Sequence, residues 1–212
     1  MKINTPPTRA NNLSAFTLIE MIGVLAVIAI LAAMLIPKVF QAINNARVNN
    51  AAVSTETIKT ATADHYGKYG KLDQEWGTNA VIFSGGGNYC YNYETNLIQE
   101  GLLDKPFSVK IGGGDPSTNS LVELAKGTHE NGGATGGYYL DGTGGSSTTN
   151  AQFVLEAVIY GVAAQDAKDL NDLIDGTALG AGNLTAADNK GRVEYAAPIG
   201  LTTTVYIYLT SR

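Results

Sequence analysis

The chain has 212 residues, of which 44% are hydrophobic and 16% are charged, and its formal net charge at pH 7 is −5. This length suits one modest globular domain with an appendage, or two small domains. Charged residues are scarcer than the usual proportion of about a quarter. The sequence also contains no stripe of Lys and Arg that would bind phosphate groups, so the composition argues against a nucleic acid as a partner.

The N-terminal region combines a basic leader with a long apolar run. Residues 16–36 read FTLIEMIGVLAVIAILAAMLI and contain one charged side chain, that of Glu20. As a helix this run would be about 31 Å long, the thickness of a bilayer core, so we predict a transmembrane helix. The leader, residues 1–15, contains Lys2 and Arg9 but no acidic residue. The positive-inside rule therefore predicts a cytoplasmic leader, with the chain beyond the helix on the other side of the membrane.

Glu20 is unusual because a carboxylate within an apolar span is costly and rare. Two interpretations follow from the residues alone. In one, Glu20 lies near the helix end and reaches the lipid headgroups. In the other, it has a function that requires a positively charged partner within the membrane.

The segment Ala15-Phe16-Thr17-Leu18-Ile19-Glu20 resembles the cleavage and methylation motif of type IV pilins and type II secretion pseudopilins. In that family a prepilin peptidase cuts before the Phe and methylates the new N-terminus. The resemblance thus implies cleavage between Ala15 and Phe16, N-methylation of Phe16 and an assembly role for Glu20. Pro37 also falls where the family commonly has a helix-kinking proline. The resemblance covers about residues 15–40, and it departs from the family at Ala15, where Gly is usual.

The same resemblance implies the partners and the location of the chain. The partners are the membrane, the prepilin peptidase, an inner-membrane assembly platform and further copies of the chain in a helical filament. In that filament Glu20 would pair with the N-terminal amine of a neighbouring subunit. The precursor would lie in the inner membrane, and the assembled filament would be periplasmic or extracellular. We expect no enzymatic activity, no cofactor and no metal.

Beyond the apolar run we predict the second half of one long helix, residues 37–67, and then a globular head, residues 68–212. Pro37 removes one helical hydrogen bond and should kink the axis. No Pro or Gly follows until Gly67, which predicts a helix continuing from Phe16 to about Tyr66, ended by Gly67 and Gly70. An imperfect apolar face of helical period is formed by Phe40, Ile43, Ala46, Ala51, Ile58 and Ala61.

The head sequence predicts an antiparallel sheet packed on this helix, which is an α+β, pilin-like fold. Strands are predicted at 80–83, 152–160, 192–195 and 203–210, the second of them central because most of its positions are apolar. A helical turn is predicted at 96–103. A helix is predicted at 165–174, with Ala167, Leu170, Leu173 and Ile174 on one face. Residues 112–150 are rich in glycine and are interpreted as loops.

The sequence offers little that indicates catalysis or metal binding. Neither His65 nor His129 has the spacing of a known nucleophile–base pair, and no Cys and His cluster has the spacing of a metal site. The acidic residues at 166, 169, 172 and 175 are interpreted as a solvated helix face, because the pattern of a calcium loop is missing. Cys90 is interpreted as a half-buried small hydrophobe, with an intermolecular or reactive thiol as the alternative.

Three functions remain open from the sequence. The first is a structural filament subunit, either a pilin of a surface pilus or a pseudopilin of a secretion system. The second is a membrane-anchored periplasmic enzyme, which predicts no processing and no self-assembly and leaves Glu20 unexplained. The third is a sugar-binding or adhesive tip subunit, which would need an aromatic patch on the exposed head.

Overall fold

The computed structural model describes residues 16–73, 89–115, 118–126, 130–131, 134–135, 138–142, 153–176, 179 and 184–212. The leader with Ala15, the strand predicted at 80–83 and His129 lie outside the described residues. The chain divides into two compact units, Met1–Ile43 and Asn44–Arg212. In chain order, the described elements are α1 (Leu18–Tyr69), β1 (Tyr89–Cys90), α2 (Glu94–Gln99), β2 (Ser120–Lys126), β3 (Glu130–Asn131), β4 (Ala134–Thr135), β5 (Phe153–Ala163), α3 (Ala164–Ile174), β6 (Val193–Tyr195) and β7 (Thr202–Ser211).

Helix α1 has 52 residues and contains Pro37 in its interior. It ends three residues later than predicted, because Gly67 is accommodated within the helix and Gly70 caps it. Gly70 has a φ of +73°, and its N–H donates to the carbonyl of Tyr66 at 2.7 Å. This left-handed position after the last turn is the one that glycine fills most easily at helix C-termini.

Within the second unit, α1 buries a stripe with a regular three- and four-residue spacing. The stripe consists of Val48, Ala51, Thr55, Ile58, Ala61, Thr62 and His65. Of the predicted apolar face, Ala51, Ile58 and Ala61 are buried, whereas Phe40, Ile43 and Ala46 are exposed. Polar residues take part in the stripe because they are satisfied locally. The hydroxyls of Thr55 and Thr62 donate to carbonyls one turn earlier, at 2.9 and 2.8 Å.

The head is built on a five-stranded antiparallel sheet in the order β1-β2-β5-β7-β6. The longest strand, β5, is central as predicted, and β7 alternates as predicted, with Val205, Ile207 and Leu209 buried. These side chains join one core with the buried stripe of α1. Strand β2 lies within the glycine-rich stretch 112–150, where the glycine content did not predict a strand.

Helix α3 is present as predicted, but its surroundings differ in two respects. Leu173 is half exposed, whereas Asn171 is buried beside Ala167 and Leu170. The solvated-face interpretation is wrong for Asp175, whose side chain is buried. Asp175 follows the last residue of the helix, and its carboxylate accepts the backbone N–H groups of Arg192 and Val193 at 2.8 to 3.0 Å. It therefore anchors the start of β6 instead of facing solvent.

Candidate functional site

The start of α1 is capped by three reciprocal hydrogen bonds between Thr17 and Glu20. The backbone N–H of Thr17 donates to Glu20 Oε2 at 2.8 Å, and the Thr17 hydroxyl donates to the same oxygen at 2.7 Å. In return, the Glu20 N–H donates to Thr17 Oγ1 at 3.3 Å. This is a capping box, which satisfies backbone donors that have no partner within the first helical turn.

Sequence reasoning assigned Glu20 but missed Thr17. The signal was present, because Thr17-Leu18-Ile19-Glu20 has the spacing of a capping box directly before an apolar run. The two hydrogen bonds that Glu20 accepts from Thr17 end on one oxygen, Oε2. The carboxylate can therefore cap its own helix and still present its second oxygen to a cationic partner.

The other predicted site residues lie as follows. Phe16 precedes the first helical residue and its side chain is 79% exposed, while Ala15 lies outside the described residues. Pro37 lies inside α1, which continues past it. Glu20 and Phe16 are separated by about one helical turn in sequence, so the α-nitrogen of Phe16 and the Glu20 carboxylate belong to the same end of the helix.

The N-terminal part of α1, residues 18–43, has an apolar surface that is exposed to solvent. Every described side chain from 16 to 43 is exposed except that of Ala32, which is half-buried. Among the described residues, one helix, α1, has the length and the apolar composition needed to cross a membrane. A signal sequence near the N-terminus shares these properties, so the meaning of the segment depends on its motif.

The comparisons with known proteins bear on that motif. The family model of the prokaryotic N-terminal methylation motif matches residues 11–36. This motif is the prepilin-type signal of type IV pilins and pseudopilins. No curated protein and no solved structure matches the chain.

The chain therefore carries a prepilin-type signal, followed by an α+β layout of the pilin kind. The signal supports a type IV pilin-like or pseudopilin-like subunit and implies processing by prepilin peptidase. The apolar helix that follows the signal fits a membrane-anchored precursor.

The head contains a buried pair of titratable side chains, and their contact links two helices within the head. Nδ1 of His65 lies 2.8 and 3.0 Å from the two carboxylate oxygens of Glu100, and both side chains are fully buried. The rings of Tyr69 and Tyr93 flank the imidazole, with centroids at 4.9 and 5.9 Å. This contact joins the last turns of α1 to the residue that follows α2.

Three buried carboxylates lie on the face of the sheet opposite the α1 core. Glu123 on β2 is directly opposite Glu156 on β5, and the hydroxyl of Tyr138 donates to Glu156. Burial, together with a hydrogen bond to the neighbouring Glu156, raises the pKa of Glu123. The charged form of Glu123 is therefore costly at this position, because burial and the neighbouring carboxyl group both disfavour it. Burial also raises the pKa of Glu194 on β6 to about 8.

Two further predictions concern reactive or ligating groups in the head. Cys90 is half-buried and packs against the core, in agreement with its interpretation as a small hydrophobe. Within the part of the chain that the structure describes, no group of three or more His, Cys, Asp or Glu side chains is placed to hold a metal ion.

Proposed function

We propose that this chain is the structural subunit of a type IV pilus-like filament. The precursor is inserted in the membrane through residues 16–36, cut before Phe16 by prepilin peptidase and methylated at the new N-terminus. The mature chain then polymerises through its N-terminal helix. The observation that carries the proposal is the conjunction of a prepilin-type signal with a carboxylate placed in the first turn of an uncovered apolar helix.

Electrostatics explains why Glu20 would serve assembly. Cleavage before Phe16 creates an α-amine, and methylation keeps its positive charge. In an apolar environment a carboxylate without a cationic partner is strongly unfavourable, so an incoming subunit is stabilised where its Glu20 meets a neighbour's amine. This pairing would set the axial register between subunits. The capping box is compatible with it, because Thr17 and Glu20 both lie on the mature side of the cut.

The surface of the same helix supports lateral packing. Large apolar side chains alternate with small residues at Gly23, Ala26, Ala29 and Ala33, all of them exposed. Small residues allow helices to approach closely in an apolar environment. A continuous apolar surface of this size needs a cover, which the lipid bilayer supplies to the precursor and neighbouring helices supply in a filament.

A pseudopilin of a type II secretion system is the second candidate, since the motif that matches is common to pilins and pseudopilins. The two candidates differ in where the mature protein is found. The test is to measure the intact mass and the N-terminal residue of the chain in a sheared cell-surface fraction and in the cell envelope. A methylated chain starting at Phe16, abundant in the sheared fraction, is the result expected of a pilus subunit.

Mature protein confined to the envelope would favour the pseudopilin. An uncut chain starting at Met1 would contradict the proposal and support the membrane-anchored enzyme. Ala15→Arg is the matched control for the cut, because a large charged side chain at this position should block processing. Mature protein from this variant would place the cut elsewhere.

The role of Glu20 is tested with two substitutions that separate its charge from its cap. Glu20→Gln retains an acceptor oxygen for Thr17 and loses the negative charge, whereas Glu20→Ala loses both. We expect both variants to be inserted and cleaved but to form no filaments. Asp64→Ala, which removes an exposed carboxylate further along the same helix, should assemble normally. A normal yield of filaments from Glu20→Gln would refute the pairing and leave only the cap.

A further inference from the structure

The turn between β6 and β7 exposes two large apolar side chains. Residues 196–201 read AAPIGL and contain no charged or hydrogen-bonding side chain. Ile199 is 89% exposed and Leu201 is 84% exposed, more than any of the large apolar residues of the apolar helix segment, of which Phe16 is the most exposed at 79%. We call residues 196–201 the apolar tip.

The backbone of the apolar tip is fixed although its side chains are not covered. The N–H of Ile199 donates to the carbonyl of Thr202 at 3.0 Å, and the carbonyl of Leu201 accepts from the N–H of Ala164 at 3.0 Å. Gly200, with a φ of +73°, allows the chain to reverse between them. A defined turn therefore holds the side chains of Ile199 and Leu201 outward.

Contacts at two levels show which end of the head carries the tip. At the tip, the carbonyl of Leu201 accepts a hydrogen bond from the N–H of Ala164. Asp166 lies two residues after Ala164, and its Oδ1 accepts a hydrogen bond from Asn44 Nδ2 at 2.6 Å. At the other end of β7, the Arg212 guanidinium lies 4.7 Å from the centre of the Tyr66 ring.

The lengths of the two elements agree with this arrangement. The ten residues of β7 span about 33 Å as a strand. The α1 residues from Asn44 to Tyr66 span about 33 Å as a helix. Strand β7 therefore runs alongside α1 in the same direction, and the apolar tip lies at the Asn44 end of the head.

That end of the head is where the chain arrives from the apolar segment. Asn44 follows Ile36, the last residue of the apolar run, by eight residues. Exposed apolar side chains continue past Pro37 at Val39, Phe40 and Ile43. The tip thus lies at the end of the head to which the membrane segment is covalently attached.

We propose that the apolar tip inserts Ile199 and Leu201 into the boundary between the headgroups and acyl chains of the bilayer and so holds the head of the unassembled precursor against the membrane. This inference rests on the membrane insertion in the proposed function. An uncharged apolar turn suits the acyl boundary, where apolar side chains are favourable and no phosphate-binding group is needed.

Lipid is a better occupant for this surface than a second copy of the head. The tip offers two large side chains, whereas a stable protein interface buries about 800 Å² on each partner. Because the tip and the apolar segment belong to one chain, insertion of that segment would raise the effective concentration of lipid at the tip. Extraction of the subunit into a filament would release the tip.

The test uses the full-length chain in lipid vesicles, on a Cys90→Ser background with one added cysteine at a time. An environment-sensitive fluorophore is attached at Ile199→Cys or Leu201→Cys, and quenching by spin-labelled lipids reports contact with acyl chains. Ile28→Cys in the apolar run is the membrane control. Lys68→Cys, an exposed position near Tyr66 at the far end of the head, is the aqueous control.

We expect blue-shifted emission and loss of fluorescence at 199, 201 and 28 but not at 68. Quenching at 28 without quenching at 199 and 201 would overturn the tip proposal and leave the membrane insertion intact. Absence of quenching at 28 would refute the insertion itself and, with it, the tip proposal. A blue shift at 199 and 201 that spin-labelled lipid does not quench, and that vanishes when the protein is diluted in lipid, would show that a second copy covers the tip.

Discussion

The buried carboxylate of Glu194 should make the head less stable as the pH rises. Burial, with a smaller contribution from the nearby carboxylate of Glu156, raises the pKa of Glu194 to about 8. In the unfolded chain the same group titrates near its ordinary value of 4.5. Above that value the unfolded state releases a proton that the folded head retains, so ionisation favours unfolding until the folded group also titrates.

The magnitude follows from the two pKa values. Each pH unit between about 4.5 and about 8 reduces the free energy of unfolding by about 1.4 kcal/mol through this group alone. At pH 7 the loss is on the order of 3 kcal/mol, a substantial part of the roughly 5 to 15 kcal/mol by which a typical domain is stable. Glu194→Gln keeps an oxygen acceptor and cannot ionise, so it removes this loss.

The assay is chemical denaturation of the full chain in detergent, followed by near-ultraviolet circular dichroism at several pH values from 4.5 to 8. We expect the stability gain of Glu194→Gln over the natural chain to be small at pH 4.5 and to grow steadily towards pH 8. Asp104→Asn, which neutralises an exposed carboxylate, is the matched control and should show no such growth. A gain for Glu194→Gln that stays constant over this pH range would refute the reasoning.

Two further predictions concern buried polar contacts. His65→Leu leaves the fully buried carboxylate of Glu100 without its imidazole partner and should lower the free energy of unfolding by about 3 to 5 kcal/mol. Adding Glu100→Leu should recover much of that loss, and equal denaturation midpoints for the single and double variants would contradict this. Asp175→Ala removes the acceptor for two backbone N–H groups at the start of β6 and should cost about 1 to 3 kcal/mol. Asp169→Ala, whose described hydrogen bond lies on the surface, should cost much less by the same denaturation measurement, and equal losses would show that the Asp175 contact is not stabilising.

Local sequence patterns correctly predicted those features that depend only on a contiguous segment of the chain. The apolar run, Glu20 and the motif around Phe16 were recognisable because a membrane segment and a processing signal are contiguous in sequence. Strand β7 was predictable because alternation places Val205 and Ile207 on one face whatever the partner strand. Helix α3 was predictable for the same reason, through its helical period.

Patterns failed where burial depends on partners that are distant in sequence. The apolar face predicted on α1 included Phe40 and Ile43, but the buried residues of this helix begin at Val48 and include His65. Nothing local identifies His65 as a core residue, because its partner Glu100 is 35 residues away. Strand β2 was hidden for a similar reason, since its glycine-rich surroundings conceal a segment that pairs with β5.

The sequence by itself determined that this chain has a prepilin-type signal, an apolar N-terminal helix and an α+β head. Only the tertiary structure decided that Thr17 caps this helix with Glu20, that Glu123 lies opposite Glu156, and that the apolar tip stands at the Asn44 end of the head. The physical reason is that apolar periodicity is a property of a segment. The cost of burying a charge, or of exposing an apolar turn, depends on what the rest of the fold brings next to it.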